Sequence, residues 1–174
     1  MDTERTAPLD EQALLARLEA MDINFARHAH PPLFTVEDSR ALRGDIPGGH
    51  TKNLFLKDKK DRIYLVTTLE DRPIRMKALE RLIGSARLSF GKPELLEEVL
   101  GVKPGSVTPL AVVNDTSGLV DLVLDADLLA QGTVNVHPLH NEATLTVAAG
   151  DLVRFVEATG HPPRIMSLKD AETD

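Results

Sequence analysis

The chain predicts a mixed α/β domain, of α+β or mixed α/β class, around a largely antiparallel or mixed sheet with flanking helices. Three observations carry this. Short β-rich runs and amphipathic helical segments are interleaved along the chain. Thr51 to Leu56 and Ile63 to Thr67 flank Asp58-Lys59-Lys60-Asp61, the pattern of a hairpin. A length of 174 residues suits one domain with its own core, here residues 1–174 with the core over about 8–166.

Each element has a local reason. Asp10 can cap a first helix whose Leu14, Leu15, Leu18 and Met21 recur at helical spacing. Phe25 to His28 reads as a short strand stopped by Pro31-Pro32, and Val36 to Leu42 as a short helix. Asp45 to Gly49 is a loop leading into the hairpin. Pro73 opens a helix with Met76, Leu79, Leu82 and Ile83 on one face, and Gly84 closes it. Leu88 to Phe90 is a short strand. Pro93 to Leu100 is a helix with proline suited to its first turn and Gly101 to its exit. Strands are expected near Leu110 to Val113, Leu119 to Leu124, Thr133 to His137 and Thr144 to Val147. Asp151 to Thr159 is a last helix, stopped by Gly160. The tail after Met166 is polar and is expected to fray.

Composition removes several function classes. The chain has no cysteine, which excludes disulfides, thiolate metal ligands and a cysteine nucleophile. No apolar run approaches the roughly 20 residues of a membrane span, and the start is polar, so a cytoplasmic protein without membrane contact is expected. A net charge of −7 argues against broad, non-specific nucleic-acid binding. The charge is uneven: residues 104–174 carry 3 Lys/Arg against 10 Asp/Glu, and residues 1–103 carry 17 of each. Arg40, Arg43, Lys52 and Lys57 to Arg62 form a local basic stretch, although Lys57 to Arg62 alone reads as a solvated turn.

Two segments carry the candidate chemistry. Gly49-His50-Thr51-Lys52-Asn53-Leu54-Phe55-Leu56 places a lysine and an amide at a strand mouth. Lys52 could hold a phosphate or carbonyl as a point charge, and Asn53 offers a donor and an acceptor. In Gly105-Ser106-Val107-Thr108-Pro109, Gly105 can adopt a positive φ and lets a ligand approach the backbone, whose N–H groups could bind a carbonyl and the oxyanion it becomes. Taken alone, that loop reads as a plain turn before a buried strand. His137 ends a strand, where it could face a pocket or simply bond the backbone. His28/His30 and His137/His140 suggest a metal only loosely, without a motif such as His-Glu-x-x-His, so no metal and no cofactor is expected. Gly101 to Ser106 lacks the Gly-Lys-Ser/Thr end of a nucleotide P-loop, and no Gly-x-Ser-x-Gly elbow is present.

In order along the chain, these two segments and Val136-His137-Pro138-Leu139, with Asn141 and Thr144 beyond, resemble the YbaK/prolyl-tRNA-synthetase editing-domain family. The likeness runs from the first helix to Val156 and is nearest the freestanding prolyl-tRNA deacylases of the ProX or PrdX type. The resemblance implies a trans-editing hydrolase that cleaves a wrong amino acid, usually alanine, from the 3′-terminal adenosine of proline tRNA. Cysteine is the target of the related YbaK branch. It also implies an aminoacylated tRNA as partner, with prolyl-tRNA synthetase as a second candidate. By motif, Lys52 and Asn53 contact the terminal nucleotide or aminoacyl group, Gly105, Ser106, Val107, Thr108 and Pro109 bind the carbonyl, and His137 lines the site. A small apolar pocket from Phe34, Val36 and Leu54 would admit alanine and exclude proline. Two competing readings remain at this level: a non-catalytic tRNA- or synthetase-binding module of the same fold, and a hydrolase of some other ester.

Overall fold

The computed structural model describes residues 7–32 and 46–173. In chain order the elements are α1 (Glu11–Ala20), β1 (Phe25–Ala29), β2 (Gly49–Asp58), β3 (Ile63–Leu69), α2 (Met76–Ile83), β4 (Leu88–Phe90) and α3 (Pro93–Leu100). A 3-10 turn over Pro109–Asn114 follows, then β5 (Val120–Asp125), α4 (Ala126–Leu129), β6 (Thr133–Val136), β7 (Ala143–Ala148), α5 (Ala149–Ala158), β8 (Arg164–Met166) and a second 3-10 turn over Lys169–Ala171. Asp10 caps α1, its carboxylate accepting the Ala13 N–H at 2.9 Å. Pro93 sits in the first turn of α3, and Gly84 and Gly101 end α2 and α3 in the left-handed region.

The strands form one mixed sheet in the order β1-β7-β6-β2-β3-β5-β8, with β4 added beside β2. β2 pairs antiparallel with β3 from Thr51↔Leu69 to Lys57↔Ile63, so one of its edges is filled along most of its length. Its other edge is shared. β6 pairs parallel with Gly49 and His50 at the start, and β4 pairs antiparallel with Leu56 to Asp58 at the end. Between them, the edge of β2 from Thr51 to Phe55 faces no strand among the described residues.

Strand side chains alternate between faces, and each face of the sheet has its own core. Phe55, Leu65, Leu122, Val136 and Leu145 pack with residues of α1, α3 and α5 on one face. Leu56, Tyr64, Val66 and Val123 pack with Ala78, Leu79 and Ile83 of α2 on the other. The helix expected over Val36 to Leu42 lies outside the described residues.

Three expectations change. Pro73 does not open α2, which starts at Met76 with Arg75 at its N-cap. Leu110 to Val113 is a 3-10 turn and not a strand. Thr108 caps it through a hydroxyl that accepts the Leu110 N–H, and Pro109 in its first turn presets the tight φ. All four residues are buried, so an apolar run that looks like a buried strand is a buried turn. The tail after Met166 does not fray. Leu168 and Ala171 are fully buried against α2, and Arg75 N–H donates to the Ala171 carbonyl at 2.7 Å. The two apolar residues in that short segment bring enough burial to fix it.

The turn after Pro109–Asn114 is locked by a buried pair. Asp115 accepts the N–H groups of Leu119 and Val120 and meets His161 Nε2 at 2.8 Å. Burial alone would raise the Asp115 carboxyl, but His161 and the two N–H donors outweigh it and hold it below the ordinary carboxylate value. A depressed carboxyl adds stability that is present above its unfolded pKa and lost as pH falls through the folded one. Removing one partner of a buried pair costs about 3–5 kcal/mol. Asp115→Ala should therefore lower the free energy of unfolding by that order in urea titrations at pH 7, with the gap to wild type narrowing in acid. An unchanged midpoint would show that the pair adds nothing.

Candidate active site

The Gly105 loop is tied to the sheet at the open edge of β2. Asn53 Nδ2 donates to the Val107 carbonyl at 3.0 Å, and Asn53 Oδ1 accepts the Thr67 hydroxyl at 2.7 Å. Gly105 has φ +90°, as its place in the loop demands. A Cβ there would lie 3.7 Å from Asn141 Nδ2, so the loop abuts the turn that follows β6. Ser106 N–H turns inward to the Lys103 carbonyl at 3.0 Å. Among the described residues, the N–H groups of Gly105, Val107 and Thr108 donate to no protein acceptor. Successive backbone donors of this kind suit a carbonyl or an oxyanion.

Lys52 neighbours Asn53 in sequence but projects from the opposite face of β2. Its ammonium donates to the Arg72 carbonyl beyond the end of β3. Burial lowers its pKa, while the carboxylates of Asp71 and Glu70 favour the charged form. The Arg72 guanidinium is itself anchored: Nη1 meets Asp125 Oδ2 at 2.7 Å and Asp127 Oδ2 at 2.8 Å, and Nε lies 3.4 Å from Glu172. Asp125 is fully buried and also accepts the Thr68 hydroxyl at 2.6 Å and the Asp127 N–H at 3.0 Å. A buried carboxylate needs such saturation. The carbonyl that orients Lys52 is thus backed by a rigid charged network.

His137 follows β6 at the head of the turn to β7. Its Nδ1 faces the Ala143 carbonyl at 3.4 Å, and a carbonyl only accepts, so the proton is on Nδ1 and Nε2 is the free acceptor of the neutral ring. Burial pushes its pKa below the ordinary imidazole value, helped by His30 and His140 and opposed by Ala143 and Glu70. The other histidines nearby are occupied. His30 lies between the Pro31 carbonyl and the Thr144 hydroxyl, and His140 Nε2 meets Glu11 at 2.6 Å.

The aminoacyl-tRNA editing domain model matches residues 30–155 of the chain, a span that holds most of the sheet together with Lys52, Asn53, the Gly105 loop and His137. This chain belongs to the aminoacyl-tRNA editing domain family. Its activity class is accordingly aminoacyl-tRNA deacylation. Prolyl-tRNA synthetase associated domain-containing protein 1 of Danio rerio is 41% identical over 165 residues, covering 93% of this chain and 90% of that protein. Prolyl-tRNA editing protein ProX of Acetoanaerobium sticklandii is 35% identical over 159 residues, covering 91% and 97%. A crystal structure described as a trans-editing enzyme for prolyl tRNA synthetase shares the fold, with a TM-score of 0.68 at 20% identity over 90% of this chain and 94% of that one.

In this editing domain the sequence-predicted residues divide among the two faces and the open edge of β2. Asn53, Gly105, Ser106, Val107 and Thr108 meet at the edge, with Val107 packed on the first core and Thr108 and Pro109 buried. Leu54 packs beside the second core, on the Lys52 face. Phe34 and Val36 lie outside the described residues. A cleft of about 440 Å³ opens beside Arg72, lined in part by Gly49, His50, Glu70 and Asp71. A larger groove, of about 590 Å³ between α2 and the C-terminal segment, touches none of the candidate residues. Among the described residues no helix is long and apolar enough to cross a membrane. Sequence reading missed Thr67, Thr68, Arg72 and Asp125. A carboxylate closing the apolar run Val120 to Asp125 was the one available signal.

His137 should titrate below the ordinary imidazole value near 6.5. Because the unfolded chain then binds the proton more readily, this residue makes stability rise with pH through that range. Following the ring carbons of His137 by NMR between pH 4 and 8 checks it. A midpoint at or above the ordinary value would contradict the burial.

Proposed function

We propose that this protein hydrolyses the aminoacyl ester of mischarged proline tRNA at the 3′-terminal adenosine, with alanine the amino acid removed. The observation that carries the reading is the set of Gly105, Val107 and Thr108 N–H donors in a loop that Asn53 ties to β2. The names of the two relatives support proline tRNA as the substrate, and a synthetase partner fits the first of them.

Hydrolysis of an activated ester needs a placed water and stabilisation of the oxyanion, without a covalent nucleophile. In the proposed step, water attacks the acyl carbon, negative charge moves onto the carbonyl oxygen beneath the loop N–H groups, and the bond to the ribose oxygen breaks. The ribose oxygen leaves with a proton as a free hydroxyl. His137 Nε2, as an acceptor, orients the water. Lys52 holds the terminal nucleotide by its charge, and Asn53 keeps the loop in place. Selection rests on size. One methylene is worth only about 1–3 kcal/mol, so a synthetase admits smaller amino acids and a second sieve is useful, whereas overlap of a ring is steeply penalised.

Purified protein with alanyl-, cysteinyl- and prolyl-charged proline tRNA should release alanine fastest, cysteine more slowly and proline scarcely at all. Fastest release of cysteine would reassign the substrate, and no release from any of them would support the binding-module reading. Lys52→Ala should lower the rate by about 100-fold, the order seen when one charged or donor contact to the transition state is lost, and Lys52→Arg should not fully restore it. Gly105→Val should cost activity more than stability, because the residue is strained at positive φ and crowds the carbonyl site. Equal losses in rate and in melting temperature would mark the loop as a plain turn.

A further inference from the structure

We infer that Thr67 is a positioning residue for the reaction, acting through the Asn53 side chain on the peptide between Val107 and Thr108. Thr67 lies directly across from Asn53 in the β2–β3 pairing and is fully buried. Its hydroxyl donates to Asn53 Oδ1 at 2.7 Å, and Asn53 Nδ2 donates to the Val107 carbonyl at 3.0 Å. The chemistry allows one arrangement only. A backbone carbonyl can only accept, so the amide must turn its NH₂ to Val107 and its oxygen to Thr67, and Thr67 must then be the donor.

The consequence lies on the far side of that peptide. The bond from Val107 to Thr108 is trans, as no cis bonds occur among the described residues, so its carbonyl and its N–H point in opposite directions. Drawing the Val107 carbonyl onto Asn53 aims the Thr108 N–H away from the sheet. That N–H is one of the loop donors without a protein acceptor among the described residues. Without the Thr67 hydroxyl, the amide oxygen loses its partner, the amide can rotate half a turn, and oxygen then faces oxygen at Val107. The loop relaxes and the donor loses its aim. Thr67 touches no substrate, so its effect should fall on the chemical step and not on binding. The inference rests on the deacylase reading of the Gly105 loop, but the clamp itself can be observed without activity.

Thr67→Val removes the hydroxyl at nearly constant volume, and Thr67→Ala removes it without adding a methyl group. With alanyl-charged proline tRNA, both should lower kcat by about 10- to 100-fold, the scale of a misplacement of about 1 Å, and leave KM nearly unchanged. Thr67→Ser should restore most of kcat. In ¹H–¹⁵N spectra of the free protein, the Asn53 side-chain amide and the Thr108 backbone amide should move in Val and Ala and stay in place in Ser. Unmoved signals in Thr67→Val and Thr67→Ala would overturn the clamp. Moved signals with wild-type kcat would overturn the positioning role, and if Gly105→Val were then also fully active, the deacylase reading of the loop would fall with it. Equal loss in Ser and Val would assign Thr67 to packing alone and overturn the inference.

Discussion

The structure depends on how the second edge of β2 is shared. One edge of this ten-residue strand is filled by β3. The other is divided between β6 at its start and β4 at its end. Backbone groups on an unpaired strand edge must find other partners. Thr51 answers with its hydroxyl on the Asn135 carbonyl at 2.8 Å, and Gly91 donates to the Phe55 carbonyl at 2.9 Å. Between these two, Asn53 reaches out to the Gly105 loop. The interruption in the sheet lies where Asn53 holds a loop of backbone donors.

Electrostatics then divide the labour. On one face the loop presents uncharged backbone donors, held by neutral hydrogen bonds from Thr67 and Asn53. On the other, Lys52 is a cation whose orientation depends on Arg72 and hence on Asp125, Asp127 and Glu172. Breaking a buried ion pair by removing one partner is far more damaging than losing an exposed pair, so this network fixes the lysine in a way a surface salt bridge could not. The burial of His137, the third proposed member of the site, works against its imidazolium form.

Much of this was legible in the chain. Periodicity and caps located α1, α2 and α3, and the hairpin of β2 and β3 followed from its polar turn. The segments of Lys52, Gly105 and His137 were recognisable by residue type, and Gly105 does take a positive φ. What was not legible has physical causes. A buried 3-10 turn and a buried strand share one pattern of burial, so Leu110 to Val113 could not be told apart by hydrophobicity. Leu168 and Ala171 are too few to show periodicity, yet two buried side chains suffice to dock the tail. Thr67 and Arg72 act through hydrogen bonds to residues 14 and 53 positions away in sequence, and such partners are set by strand order, which the chain does not display.

In the proposed reaction the backbone N–H groups of Gly105, Val107 and Thr108 receive the acyl carbonyl of an aminoacylated adenosine. The most direct measurement is an NMR titration of the full chain with 3′-deoxy-3′-alanylamino-adenosine, whose amide mimics the ester and resists hydrolysis. The account predicts that the amides of Gly105, Val107 and Thr108 shift downfield as hydrogen bonds form, together with the His137 ring, while the groove between α2 and the C-terminal segment stays silent. Saturable binding that leaves those three amides unmoved, or that perturbs only the α2 groove, would contradict it.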